Sequence, residues 1–185
     1  MRVFQCEQYS DDWFRLRLGI PTASAFNNIM TPGGAPTKGE RRIKYMYRLV
    51  CERLMKQSME DFSGTYWTKR GERLEQEALD AFVLAQDLEV KFERTGFITS
   101  DDGRIGASPD CLIRSPQGLA LGGLEIKCPS PWVQMEYLLA GLGENYAAQV
   151  QGQLLISEQE VWHLWSYHPK MPPCHVYTLR DDDYI

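Results

Sequence analysis

The chain has 185 residues, 43% of them hydrophobic and 24% charged, which fits one soluble domain over residues 1–185 with a sizeable core. No apolar run is long enough to cross a membrane, and "MRVFQCEQYSDDW" lacks the apolar stretch of a secretory signal, so a cytoplasmic protein is expected. A net charge of −5 excludes a surface that is basic all over: either nucleic acid is not a ligand, or positive charge is gathered in a cleft.

In chain order, "SDDWFRLRLG" (10–19) predicts a short helix, with Ser10 as cap, acids in the first turn and Gly19 as stop. "IPTASAFNNIM" (20–30) predicts a second short helix, and "TPGGAPTKGE" (31–40) a mobile Gly/Pro loop. Helical spacing covers 41–57 and, most strongly, 65–86. Strands are predicted over 91–100, 105–114 and 121–129, the last two joined as a hairpin through "SPQG". Helices over 132–142 and 144–158 and strands over 161–169 and 174–181 complete an α/β pattern, a central sheet flanked by helices. The cysteines, Cys6, Cys51, Cys111, Cys128 and Cys174, are odd in number and widely spaced, without C-x-x-C, which argues against both a zinc site and a disulfide framework.

The hairpin carries the chemistry. Residues two apart on a strand share a face, so Glu125 and Lys127 point together while Ile126 points into the core. A suitable register sets Asp110 beside Glu125. Two neighbouring carboxylates repel unless a proton or cation lies between them, and oxygen donors suit Mg²⁺ or Mn²⁺. The competing reading is a solvated hairpin with a cross-strand ion pair. Pro109 and Pro129 put these charges near strand ends, where sites are commonly built. On the 65–86 helix, Glu75 falls on the flank of the apolar face set by Leu74, Ala78, Phe82 and Ala85. It therefore either binds a partner or metal, or reaches out to water. Tyr146, Gln149 and Gln153 share one face of their helix, suited to a phosphate or a bound water, or simply a polar surface.

"ASPD" with "LEIKCP", "RGERLEQEA" upstream and "YAAQVQGQL" downstream together resemble the phage lambda exonuclease family, the YqaJ-like viral recombinases. "DDWFRLRLGIPTAS" is similar to that family's opening W-x-x-x-R-x-G-x-x-T-A-S, and the likeness runs in order from about residue 9 to about residue 181. The resemblance implies the restriction-endonuclease-like core of the PD-(D/E)xK superfamily, a mixed β-sheet flanked by helices. It implies a Mg²⁺-dependent 5′→3′ exonuclease acting on double-stranded DNA ends, with Mn²⁺ as substitute, releasing mononucleotides and leaving a 3′ tail. It also implies a ring-shaped homotrimer around DNA and a single-strand annealing protein as partner in recombination.

Matched by motif, Asp110, Glu125, Glu75 and the backbone carbonyl of Ile126 would be metal ligands, Lys127 would act on the attacking water, and Gln149 would stand beside them. Arg17, Ser24 and Ser108 match a pocket for the terminal 5′-phosphate. Arg17 offers a planar fork for phosphate, and Ser24 lies in a first helical turn, where free N–H groups favour an anion; plain N-capping by Thr22 or Ser24 is compatible with this. Lys38, Arg41, Arg42 and Lys44 are candidates for the DNA channel. The alternatives are a Cas4-like or restriction-like nuclease on the same core, a non-catalytic DNA-end-binding subunit, and a small-molecule metal-binding protein. The first, in its Cas4-like form, needs four cluster-binding cysteines that are scattered here, the second would lack part of the metal set, and the third leaves Arg17 and Ser24 unexplained.

Overall fold

The computed structural model describes residues 1–59, 66–86 and 89–185, with the backbone alone for 66–68 and 145. In chain order the elements are β1 (Arg2–Phe4), α1 (Asp11–Arg17), a 3₁₀ helix (Ala23–Asn28), α2 (Glu40–Met55), α3 (Tyr66–Gln86), β2 (Lys91–Glu93), β3 (Phe97–Thr99), β4 (Gly106–Ala107), β5 (Cys111–Arg114), β6 (Ala120–Lys127), α4 (Pro131–Ala140), α5 (Gly143–Ser157), β7 (Val161–His168) and β8 (Met171–Leu179). Thr65, expected to open the 65–86 helix, lies outside the described residues.

Among the described residues the strands form two sheets, β1-β3-β4 and β2-β5-β6-β7-β8. The expected hairpin is β5–β6, antiparallel, while β6 and β7 run parallel and are joined through α4 and α5, the helical crossover that a parallel pair requires. Alternation sorts the two faces of the larger sheet. Cys111, Ile113, Leu124 and Ile126 pack with Ala78, Leu79 and Phe82 of α3. Leu112, Trp162 and Leu164 pack with Tyr137 of α4 and Val150 and Leu154 of α5. Helices therefore cover both faces of a mixed sheet, as expected. No helix among the described residues is long and apolar enough to cross a membrane.

Three expectations are corrected. The strand over 91–100 is two strands, β2 and β3, in different sheets, and so is that over 105–114, as β4 and β5. Pro109 has no N–H to give a ladder, and Gly96 is pressed against the Cys6 carbonyl, where a Cβ would stand only 2.1 Å away. The helix over 20–30 is a single 3₁₀ segment, Ala23–Asn28. The Gly/Pro loop that follows is tied back by the Thr31 N–H to the Ala35 carbonyl and the Thr37 N–H to the Ile29 carbonyl, each 2.8 Å.

Candidate active site

Where the two sheets part, backbone groups lose their ladder partners and others must take them. The N-terminal segment does so. Gln8 donates to the carbonyls of Thr95 and Pro109, both at 3.1 Å. Trp13 shares its indole N–H between the Gly96 carbonyl, at 3.1 Å, and Ser108 Oγ, at 2.8 Å. An open cavity of about 340 Å³ lies at these breaks, lined by Tyr9, Glu72, Glu75, Arg94 and Asp110 among others.

The hairpin register pairs Cys111 with Leu124, so one step further sets Asp110 opposite Glu125. Asp110 Oδ2 accepts the Ile126 amide at 2.5 Å. Glu125 is buried and fully engaged: Oε1 accepts from Lys127 Nζ and Gln149 Nε2, and Oε2 from Gln153 Nε2, each at 2.6 Å. The Lys127 ammonium also sits 4.9 Å from the centre of the Tyr146 ring. The polar face of α5 is thus turned onto Glu125, and Ile126 points the other way into the α3 core.

Burial first, then the charges of Glu125 and Glu75, push Asp110 well above the usual carboxylate range. Burial works to lower the Lys127 pKa, but Glu125, Tyr146 and Asp110 outweigh it and raise it, so this lysine is a cation at neutral pH. Glu75 pairs with Arg94 at 2.6 Å, and a second Arg94 nitrogen reaches Gln76 at 3.0 Å. The position on the apolar flank of α3 is thereby compensated, and Glu75 still faces the cavity it shares with Asp110. As these side chains stand, no three His, Cys, Asp or Glu among the described residues form a ready cation cage. Arg94 engages Glu75, and Lys127 and the glutamines engage Glu125. The donor types nonetheless suit a hard divalent cation: Asp110 stands opposite Glu125 and shares the cavity with Glu75, and all three offer carboxylate oxygens.

Two residues before Asp110 the chain faces another group. Ser108 Oγ accepts from both Trp13, at 2.8 Å, and Arg17, at 3.3 Å. Its lone pairs are taken, so its hydrogen is what it can offer, as an anion requires. The Arg17 guanidinium lies 4.1 Å from the Trp13 ring centre and lines a second, smaller cavity with Thr22, Arg48 and Glu52. Ser24 is exposed at the start of the 3₁₀ helix, which a bridge between Thr22 and Gly106 ties to β4. Thr22 does not cap that helix through its side chain; its N–H donates to the Tyr45 hydroxyl at 3.2 Å. Of the basic residues, Arg41 bonds Asn28 and Lys44 pairs with Glu40, while Lys38 and Arg42 are exposed.

A family model described as the YqaJ-like viral recombinase domain matches residues 12–160. The chain belongs to that family. Its fold is similar to LHK-Exo solved in complex with dAMP, 28% identical, with a TM-score of 0.80 over 95% of this chain and 85% of that one. It is similar also to the alkaline exonuclease LHK-Exo from Laribacter hongkongensis, 27% identical, with a TM-score of 0.78 over 94% and 84%. A phage-related exonuclease from Haemophilus somnus 129PT, 14% identical, shares the fold with a TM-score of 0.64 over 89% and 86%. No curated protein matches. The YqaJ-like chain thus has the PD-(D/E)xK fold that its motifs imply, and it is a nuclease.

Sequence reasoning passed over Gln8, Tyr9 and Arg94, and the Trp13 N–H as the brace of Ser108. Trp13 stood in the quoted motif, and Gln153 in the helical spacing. Gln8 and Arg94 carried no local signal, because what they touch lies far along the chain, and Tyr9 carried none because the cavity it lines is built from Glu72, Glu75, Arg94 and Asp110.

Proposed function

We propose that this YqaJ-like protein is a Mg²⁺-dependent 5′→3′ exonuclease on linear double-stranded DNA ends, with Mn²⁺ able to substitute. It releases mononucleotides and leaves a 3′ single-stranded tail. The observation that carries the reading is a pair of subsites across Pro109: Ser108 beside Arg17, and Asp110 opposite Glu125. They stand two residues apart, about the reach of one nucleotide. A terminal phosphate gripped at the first presents the next phosphodiester to the second.

Asp110, Glu125, Glu75 and the Ile126 carbonyl are the groups that would hold the cation. When bound, such an ion polarises a phosphoryl oxygen and acidifies water. Lys127 orients the attacking water and neutralises charge gathering on the phosphoryl oxygens, a role for which its cationic form is suited. Gln149 and Gln153 fix the Glu125 carboxylate. Arg17 and Ser108, with Ser24, grip the 5′-phosphate through a planar fork and hydroxyls. The dAMP bound in LHK-Exo is consistent with a mononucleotide product.

The same reading takes residues 1–185 as one exonuclease domain, assembled as a homotrimeric ring around DNA and working in the host cytoplasm with a single-strand annealing protein. Only the channel then needs a basic lining, from Lys38, Arg41, Arg42 and Lys44, and the net charge of −5 is tolerated outside it. Its test is end chemistry. The parent is expected to prefer 5′-phosphorylated over 5′-hydroxyl duplex, and Arg17→Ala to weaken that preference about tenfold or more, as loss of a charged hydrogen bond does. A parent that degrades both ends equally would overturn the phosphate grip.

A further inference from the structure

Among the described residues, three that are not glycine adopt the left-handed backbone conformation: Tyr9, Lys56 and Glu158. Lys56 and Glu158 end α2 and α5, where that conformation is routine. Tyr9, with φ of 67°, ends no helix; it stands just before Ser10, the N-cap of α1. A bulky aromatic there carries backbone strain that glycine would avoid, and such outliers gather at ligand contacts.

The strain is held from both sides. Ser10 closes a turn onto the Glu7 carbonyl, through its amide at 3.2 Å and its hydroxyl at 2.6 Å. Gln8 is pinned inward by its two bonds to the strand breaks. Between these fixed neighbours, Tyr9 is thrown outward. Its ring leans on Trp13, with centroids 5.0 Å apart, stays 49% exposed, and forms part of the cavity wall with Glu72, Glu75, Arg94 and Asp110. Trp13 in turn carries Arg17. The flat groups Tyr9, Trp13 and Arg17 therefore run from the carboxylates to the phosphate grip.

We propose that Tyr9 is the stacking platform for the base of the terminal nucleotide, a subsite between the Arg17–Ser108 phosphate grip and the Asp110–Glu125 pair. The assignment rests on the exonuclease reading above. The ring offers an exposed flat apolar face on the wall of the cavity that holds Asp110, and the base is the flat uncharged part of a nucleotide whose phosphates lie at the grip and at the carboxylates. Every base has such a face, so stacking holds each terminal nucleotide without reading its identity, which a nuclease digesting any sequence requires.

The test compares two 5′-phosphorylated linear duplexes, one ending in a normal nucleotide and one in an abasic tetrahydrofuran residue, with the parent, Tyr9→Phe and Tyr9→Gly. Glycine suits the backbone at this position, so Tyr9→Gly removes the ring without straining the fold. The parent and Tyr9→Phe are expected to show KM about tenfold or more higher on the abasic end. Tyr9→Gly is expected to have the raised KM on both ends and to treat them alike. Undiminished discrimination by Tyr9→Gly, or its loss in Tyr9→Phe, overturns the stacking assignment while leaving the exonuclease reading intact. A parent inert on 5′-phosphorylated ends overturns that reading, and this subsite with it.

Discussion

Glu125 is 5% exposed and accepts three short hydrogen bonds, two from glutamines and one from an ammonium that also serves the electrostatics of Asp110. Lys127→Ala removes the only one of those three donors that carries charge. Truncating one member of a buried ion pair costs about 3 kcal/mol, lessened here because Gln149 and Gln153 still bond the carboxylate. The variant is therefore expected to fold with a lowered melting temperature and to bind duplex DNA by fluorescence anisotropy. Its cleavage should fall by about a hundredfold or more, as when a donor to developing charge is removed. Cleavage within about threefold of the parent would remove Lys127 from the chemistry. At this scale much was legible: strand parity put Glu125 and Lys127 on one side, and helical spacing put Gln149 and Gln153 on one face. Gln8 was not legible, since its partners lie 87 and 101 residues away. Nor was the choice for Glu75 between an ion pair and open water, which Arg94 decides.

Elements meet closely where α5 crosses the 3₁₀ helix. A Cβ at Gly152 would stand 2.4 Å from the Phe26 ring and 3.3 Å from Ala23. Alanine is the better helix former by about 1 kcal/mol, but overpacking costs about 1–3 kcal/mol, and Phe26 is buried with little room to turn away. Gly152→Ala should lower the melting temperature and weaken the preference for 5′-phosphorylated ends, because the 3₁₀ helix carries Ser24. A melting temperature equal to or above the parent's would show that the contact does not constrain the fold. The long amphipathic α3 and the β5–β6 hairpin could be read from their periods. The breaks at 94–96 and 108–110 could not, because the chain reads as strand on both sides of each and only Gly96 and Pro109 marked them. Those breaks are what separates Ser108 from Asp110 and opens the cavity, so the least legible feature of the strands is the one that builds the site.

Across the whole molecule, the proposed function requires an acidic chain to handle a polyanion, which it would do through local charge: Arg17, the Lys127 ammonium, the proposed basic channel and a cation held by the carboxylates. The order of motifs disclosed the fold class, since helices on both faces of a mixed sheet follow from which segments alternate and which repeat every third or fourth residue. Assembly leaves no such trace in one chain's pattern. The central claim, a cation-dependent nuclease working inward from a 5′ end, is tested most directly by following linear duplex DNA labelled at one 5′ or one 3′ end, with and without Mg²⁺. The account predicts Mg²⁺-dependent release of the 5′ label as mononucleotide while the 3′ label remains on a long single strand. Early release of the 3′ label, internal cutting, or equal cleavage without the cation would contradict it.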